Sequence, residues 1–262
     1  MIRPPYVEAG SGPAVVFAHG TLMGDTMFAP QTAHLQDRYR VVSLNHRVLS
    51  GRNVRHTLDD LVEDCRATLD KLGIERCVLG GMSLGGFMAI PFALKYPERL
   101  DGLILMATTS SDYPEDEQRK FFAKFGELDI DGMVTPEWAE WVAPYVWGET
   151  TMKRNRKLVD HWIEVWTTSI PARSVYHQGL AWIPKKDDTA KLGLIKTPTL
   201  VLHGEEDHPI PLDRAARMAR AIPHSTFVPI PAAGHTCNLE APAPVNRAID
   251  AFLARVYPPP KR

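Results

Sequence analysis

The chain has 262 residues, with 30 basic against 31 acidic side chains and a formal net charge of -1, and that length suffices for one large domain with a proper core. The balanced charge leaves no electrostatic surplus to draw it to nucleic acid or an anionic membrane, so a small molecule is the expected partner. Three cysteines, Cys65, Cys77 and Cys237, are an odd number with no C-x-x-C spacing, which argues against a disulfide framework or a thiolate zinc site. The opening MIRPPYVEAGSG holds no apolar leader and no run approaches the ~18 apolar residues of a membrane span, so the chain reads as cytoplasmic.

Short apolar runs bounded by turn residues mark buried strands in chain order. The first covers 14–18 and leads into His19-Gly20-Thr21-Leu22; the second covers 41–44. Leu58, Leu61, Val62, Cys65, Leu69 and Leu72 then recur at helical spacing. A third strand at 77–79 runs into Gly81-Met82-Ser83-Leu84-Gly85-Gly86 and a helix in which Pro91 predicts a kink or a missing hydrogen bond. After the fourth strand, 103–107, residues 110–194 contain no strand pattern and read as a helical insertion or cap, leaving 1–109 and 195–262 as the core. All six tryptophans, Trp138, Trp141, Trp147, Trp162, Trp166 and Trp182, fall inside it. They line an apolar pocket or form a small core of their own, and the spacing of Trp162 and Trp166 favours the second for that pair. Strands follow at 200–202 and 226–230, then a helix through Val245, Ile249, Phe252, Leu253 and Val256, and a tail, 257–262, expected to fray. Strands alternating with helices imply a mostly parallel sheet covered on both faces.

The chemistry concentrates in three places. Gly81-x-Ser83-x-Gly85 directly after a strand and before a helix is the pattern of a strained turn that presents a serine hydroxyl, with the N–H of Leu84 at the helix start facing a developing oxyanion. A serine needs a base and a group to orient that base. The loop after strand 200–202 supplies His203-Gly204-Glu205-Glu206-Asp207, and Ala232-Ala233-Gly234-His235 follows the next strand. Spacing alone does not choose among the three carboxylates. A second oxyanion donor is assigned to the backbone N–H of Thr21, with Leu22 as the alternative, and His19 is read as structural. A metal site from His203, Asp207, His208 and His235 is set aside because no helical ligand spacing supports it, and no metal or organic cofactor is implied.

Together, HG at 19, GMSLGG around 83, HGEEDHPIP around 207 and AAGH at 235 resemble the α/β-hydrolase superfamily over nearly the whole chain, in the branch of 3-oxoadipate enol-lactonases, haloperoxidase-type esterases and C–C bond hydrolases. The resemblance implies an α/β-hydrolase fold with a helical cap, and Ser83, Asp207 and His235 as nucleophile, acid and base. It also selects Asp207 over Glu205 and Glu206. The expected reaction is hydrolysis of a small, apolar ester or lactone through an acyl-enzyme; the alternatives are C–C bond hydrolysis, perhydrolysis or a low-turnover ligand sensor. Two departures stand out. Asn45-His46-Arg47-Val48-Leu49-Ser50-Gly51 replaces the family's D-x-R-G-x-G-x-S, and residues 6–12 resemble the end of the family's second strand with no counterpart of its first, so about seven strands are expected rather than eight.

Overall fold

The structure is a computed structural model that describes residues 3–47, 49 and 55–258. Val48, Ser50 and Gly51 of the divergent loop, and residues 259–262 of the tail, lie outside the described residues. Seven strands form one sheet in the order β1-β3-β2-β4-β5-β6-β7. They are β1 (Tyr6–Ala9), β2 (Ala14–Ala18), β3 (Arg40–Leu44), β4 (Cys77–Met82), β5 (Leu100–Met106), β6 (Thr199–Gly204) and β7 (Ser225–Ile230). All neighbours from β3 to β7 are parallel. The exception is β1, which runs antiparallel to β3 with Tyr6 opposite Leu44 and Ala9 opposite Val41.

Every residue of β2 and β4 is buried, so these strands are covered on both faces, which is why they read as continuous apolar runs rather than alternating ones. The covering helices include α1 (Ala29–Leu35), α2 (Leu58–Lys71) and α3 (Leu84–Lys95). Thr57 caps α2 by accepting from the Asp60 amide at 3.2 Å, while the Asp60 carboxylate accepts from the Thr57 amide at 2.9 Å, so two orphan donors of the first turn are satisfied reciprocally. Pro91 does not end α3, which runs unbroken through it although proline has no N–H to give the helix.

Between β5 and β6 the chain forms α4 (Glu115–Phe125), α5 (Pro136–Val146), α6 (Glu149–Arg154), α7 (Arg156–Ser169) and α8 (Ala172–Trp182). Trp147 and Trp166 stack inside this group with centroids 6.2 Å apart and both buried. The C-terminal elements are α9 (Leu212–Ala221), α10 (Cys237–Glu240) and α11 (Pro242–Val256), the last packing on α1, β6 and β7. Cys65, Cys77 and Cys237 are buried free thiols. Among the described residues no helix is long and apolar enough to cross a membrane.

Candidate active site

Ser83 sits between the end of β4 and the start of α3 with φ 50° and ψ -112°, a region that side-chain-bearing residues adopt only under strain. The turn closes because its neighbours are glycines: a Cβ on Gly85 would lie 2.1 Å from the Ala18 carbonyl oxygen, and one on Gly81 would lie 2.3 Å from the Gly85 carbonyl oxygen. Such approaches admit no side chain. The Ser83 amide donates to Met106 O at 2.9 Å and its carbonyl accepts from Phe87 N at 2.8 Å, which pins the turn to β5 and to the helix it opens.

His235 lies in the loop after β7, with Nε2 2.9 Å from Ser83 Oγ and Nδ1 2.8 Å from Asp207 Oδ2. Asp207 lies in the loop between β6 and the helix that starts at Leu212, and its side chain is fully buried. A carboxylate there accepts, so Nδ1 carries the proton and Nε2 is left to accept from the serine. Residues separated by 152 and 28 positions are therefore joined in one hydrogen-bonded chain.

Burial by itself would raise the Asp207 carboxyl, but the adjacent His235 and hydrogen bonds from His203 and His235 outweigh it and hold the group at about 2. The same carboxylate accepts from the Ile210 amide through Oδ1 at 2.9 Å. His203, wholly buried, has Nε2 3.1 Å from Asp207 Oδ2 and 2.7 Å from Ile210 O. Both neighbours are acceptors, so that nitrogen holds the proton.

The three adjacent carboxylates separate cleanly. Glu205 is exposed; Glu206 accepts from the Thr150 amide at 2.7 Å and from its hydroxyl; only Asp207 meets His235. His203 is committed to Ile210 and Asp207, and His208 packs on the Tyr145 ring instead of joining them. Among the described residues no group of three or more His, Cys, Asp or Glu is placed to hold a metal.

Thr21 and Leu22 follow β2 and border the same cavity as Ser83. Leu22 has φ 69°, an unusual conformation for a leucine, which turns the chain sharply beside the serine. His19 underpins this loop: Nδ1 donates to Gly20 O at 2.7 Å, and Nε2 accepts from the His46 amide at 3.1 Å. His46 returns a bond from Nε2 to His19 O at 2.9 Å. Burial drives both imidazoles toward the neutral form, His46 to about 4 and His19 well below its ordinary value.

The open cavity beside Ser83 measures about 80 Å³ and is lined by Leu22, Phe87, Phe121, Trp141, Val142 and Trp182. A second hollow of about 210 Å³ shares Phe121, Trp141, Tyr145 and Pro209 with it and adds Lys120, His208 and Arg214. The two tryptophan readings thus divide by residue: Trp141 and Trp182 face the cavity, whereas Trp147 and Trp166 pack on each other. A hollow of about 230 Å³ between β3 and α2 includes none of Ser83, Asp207 and His235.

Glu240 was not singled out by the sequence. Its Oε1 accepts from the amides of Gly234 at 3.0 Å and Thr236 at 3.2 Å, on either side of His235. Its Oε2 accepts from the amide of Gly148, in the turn between α5 and α6, at 2.8 Å. The sole hint in the sequence was a glutamate five residues after a candidate histidine, which by itself assigns no role.

With a mostly parallel seven-stranded sheet and a serine held at a strained strand-to-helix turn, the molecule has the architecture of an α/β hydrolase. Residues 13–242 match the α/β hydrolase fold family, and the chain belongs to it. It is 29% identical over 261 residues to a Caulobacter sp. protein provisionally named carbamate hydrolase RutD, covering 95% of each chain. It is 25% identical over 270 residues to the 2-hydroxy-6-oxo-6-phenylhexa-2,4-dienoate hydrolase of Comamonas testosteroni, covering 95% of this chain and 90% of that one. A thermophilic esterase from Thermogutta terrifontis, solved with malate bound, superposes with a TM-score of 0.87 at 30% identity over 96% of this chain and 93% of that one.

Proposed function

We propose that the protein is a serine hydrolase that cleaves a small carboxylic ester or lactone through an acyl-enzyme. The observation that carries this reading is the pair of hydrogen bonds from Ser83 Oγ to His235 Nε2 and from His235 Nδ1 to buried Asp207, opening into an apolar cavity. Ser83 Oγ attacks the carbonyl carbon as its proton passes to His235 Nε2. The resulting oxyanion takes hydrogen bonds from the backbone N–H groups of Leu84 and Thr21. Collapse expels the alcohol, which receives the proton from His235, and water activated by His235 then hydrolyses the acyl-enzyme. Asp207 stays ionised throughout and stabilises the imidazolium.

Helices α4 to α8 act as a cap over Ser83 in this reading, since Phe121 of α4, Trp141 of α5 and Trp182 of α8 wall its cavity. The cavity beside Ser83 offers about 80 Å³ between apolar side chains, and a short, apolar acyl group is the one it suits. Acetyl and butyryl aryl esters are expected to outperform octanoyl ones in kcat/KM; a preference for the long chain contradicts the assignment. Replacing Ser83 by alanine is expected to lower kcat for a short aryl ester by at least about 10³-fold, and retention of most of the turnover sinks the reading.

A second reading, C–C bond hydrolysis on the same residues, is favoured by the resemblance to the dienoate hydrolase. Loss of absorbance of that dienoate with the purified protein, faster than any aryl ester, is the result that selects it.

A further inference from the structure

We propose that Glu240 is a positioning residue for His235, its carboxylate tying the histidine turn to the α5–α6 turn of the helical excursion. This role rests on the reading of His235 as the base. His235 belongs to no helix or strand, so its backbone must be held by something other than a regular ladder.

Glu240 supplies that hold from both sides. Oε1 takes the amides of the residues immediately before and after the histidine, Gly234 at 3.0 Å and Thr236 at 3.2 Å, and lies 3.0 Å from the Thr236 hydroxyl. Oε2 takes the Gly148 amide at 2.8 Å. Bonds to an ionised acceptor are roughly twice as strong as neutral ones, so one side chain orders the two flanks of His235 and a segment 92 residues away.

The contact is backbone against backbone. A Cβ on Gly234 would lie 2.2 Å from Gly148 N, and one on Gly204, the last residue of β6 before the acid-bearing loop, would lie 2.1 Å from Gly234 O. Three glycines therefore let the serine's histidine loop, the acid loop and the excursion close on one another with no side chain between. Glu206, next to Asp207, fastens the acid loop to Thr150 of the same excursion. Thr236 N also donates to Val146 O at 3.2 Å, and Val146 walls the cavity together with Thr236. The wall that meets the acyl group and the loop that carries the base are thus one hydrogen-bonded unit, with Glu240 at its centre.

The test uses Glu240→Ala and Glu240→Gln in the full chain. Glutamine keeps one acceptor oxygen, which suffices for Gly234 and Thr236, and gives up the bond to Gly148; alanine gives up all of them. A misplacement near 1 Å costs about 10²-fold in rate. Glu240→Ala is therefore expected to lower kcat for a short aryl ester about 10- to 100-fold with KM within about threefold, and Glu240→Gln to recover most of that loss. The downfield proton NMR signal of His235 Nδ1–H, held on Asp207, reads the imidazole's placement without turnover: it is expected in wild type and Glu240→Gln and lost in Glu240→Ala. Wild-type kcat or an unchanged signal in folded Glu240→Ala overturns the proposal. Should alanine fail to fold, Glu240→Asp, whose carboxylate is one methylene too short to reach both turns, replaces it with the same expectation and the same overturning result. A wild type that shows the signal but hydrolyses no ester defeats the esterase reading and leaves the positioning role to be judged on the signal alone.

Discussion

Asp207 accepts from both His203 and His235 through the same oxygen, and that shared carboxylate decides which nitrogen of His235 is free for Ser83. Asp207→Asn would place an amide where Nδ1–H needs an acceptor, and a flipped amide favours the wrong tautomer. We expect kcat for a short aryl ester to drop by about 10³- to 10⁴-fold with the fold intact, as read by steady-state kinetics and far-UV circular dichroism; a drop under tenfold would show that the carboxylate does not set the tautomer. The choice of Asp207 over its two neighbours was open to spacing and closed only by resemblance, because the difference lies in where each carboxylate points. Glu206 is drawn off by Thr150 and Glu205 by solvent.

At the scale of elements, the β4-to-α3 turn and the loop after β2 are held by opposite means. The first relies on the absence of side chains: a methyl at Gly85 would meet the Ala18 carbonyl at 2.1 Å, and neither partner is a flexible side chain. Gly85→Ala is expected to cost at least about 3 kcal/mol in urea denaturation, at or beyond the upper end for overpacking, and a cost under 1 kcal/mol would contradict the packing described.

The loop after β2 relies instead on two neutral imidazoles, His19 and His46, facing each other with Arg3, His56 and Asp64 as the charged or titratable groups around them. Their protonation is disfavoured in the folded state relative to the unfolded chain, so stability is complete above about pH 6.5 and is lost as pH falls, through the window from about 6.5 to about 4 for His46. Each such histidine contributes a slope of roughly 1.4 kcal/mol per pH unit within its window. Urea midpoints are expected to be level from pH 7 to 8 and to decline from pH 6.5 to 5, before most carboxylates titrate; a flat profile to pH 5 would mean the imidazoles are not held neutral.

For the molecule as a whole, what the sequence made legible follows how local the cause is. Buried parallel strands announce themselves as apolar runs, and six of the seven were marked in this way, while β1 was read only through family resemblance because Tyr6–Ala9 is a half-exposed edge strand. The elbow around Ser83 is legible because its glycines and serine are contiguous. The grip of Glu240 on Gly148, and the partition of the tryptophans between cavity and packing, depend on partners far apart in the chain, and no local period encodes them. The common consequence of these distant contacts is a serine whose hydroxyl is paired with His235 Nε2 at 2.9 Å.

Labelling with a fluorophosphonate probe followed by peptide mass mapping, on wild type and on His235→Ala, tests whether that pairing activates Ser83. A single adduct on Ser83 is expected in the wild type, and its loss, with the fold retained, when His235 is removed. A folded wild type that takes up no label, or a His235→Ala variant labelled at the same rate, would contradict it.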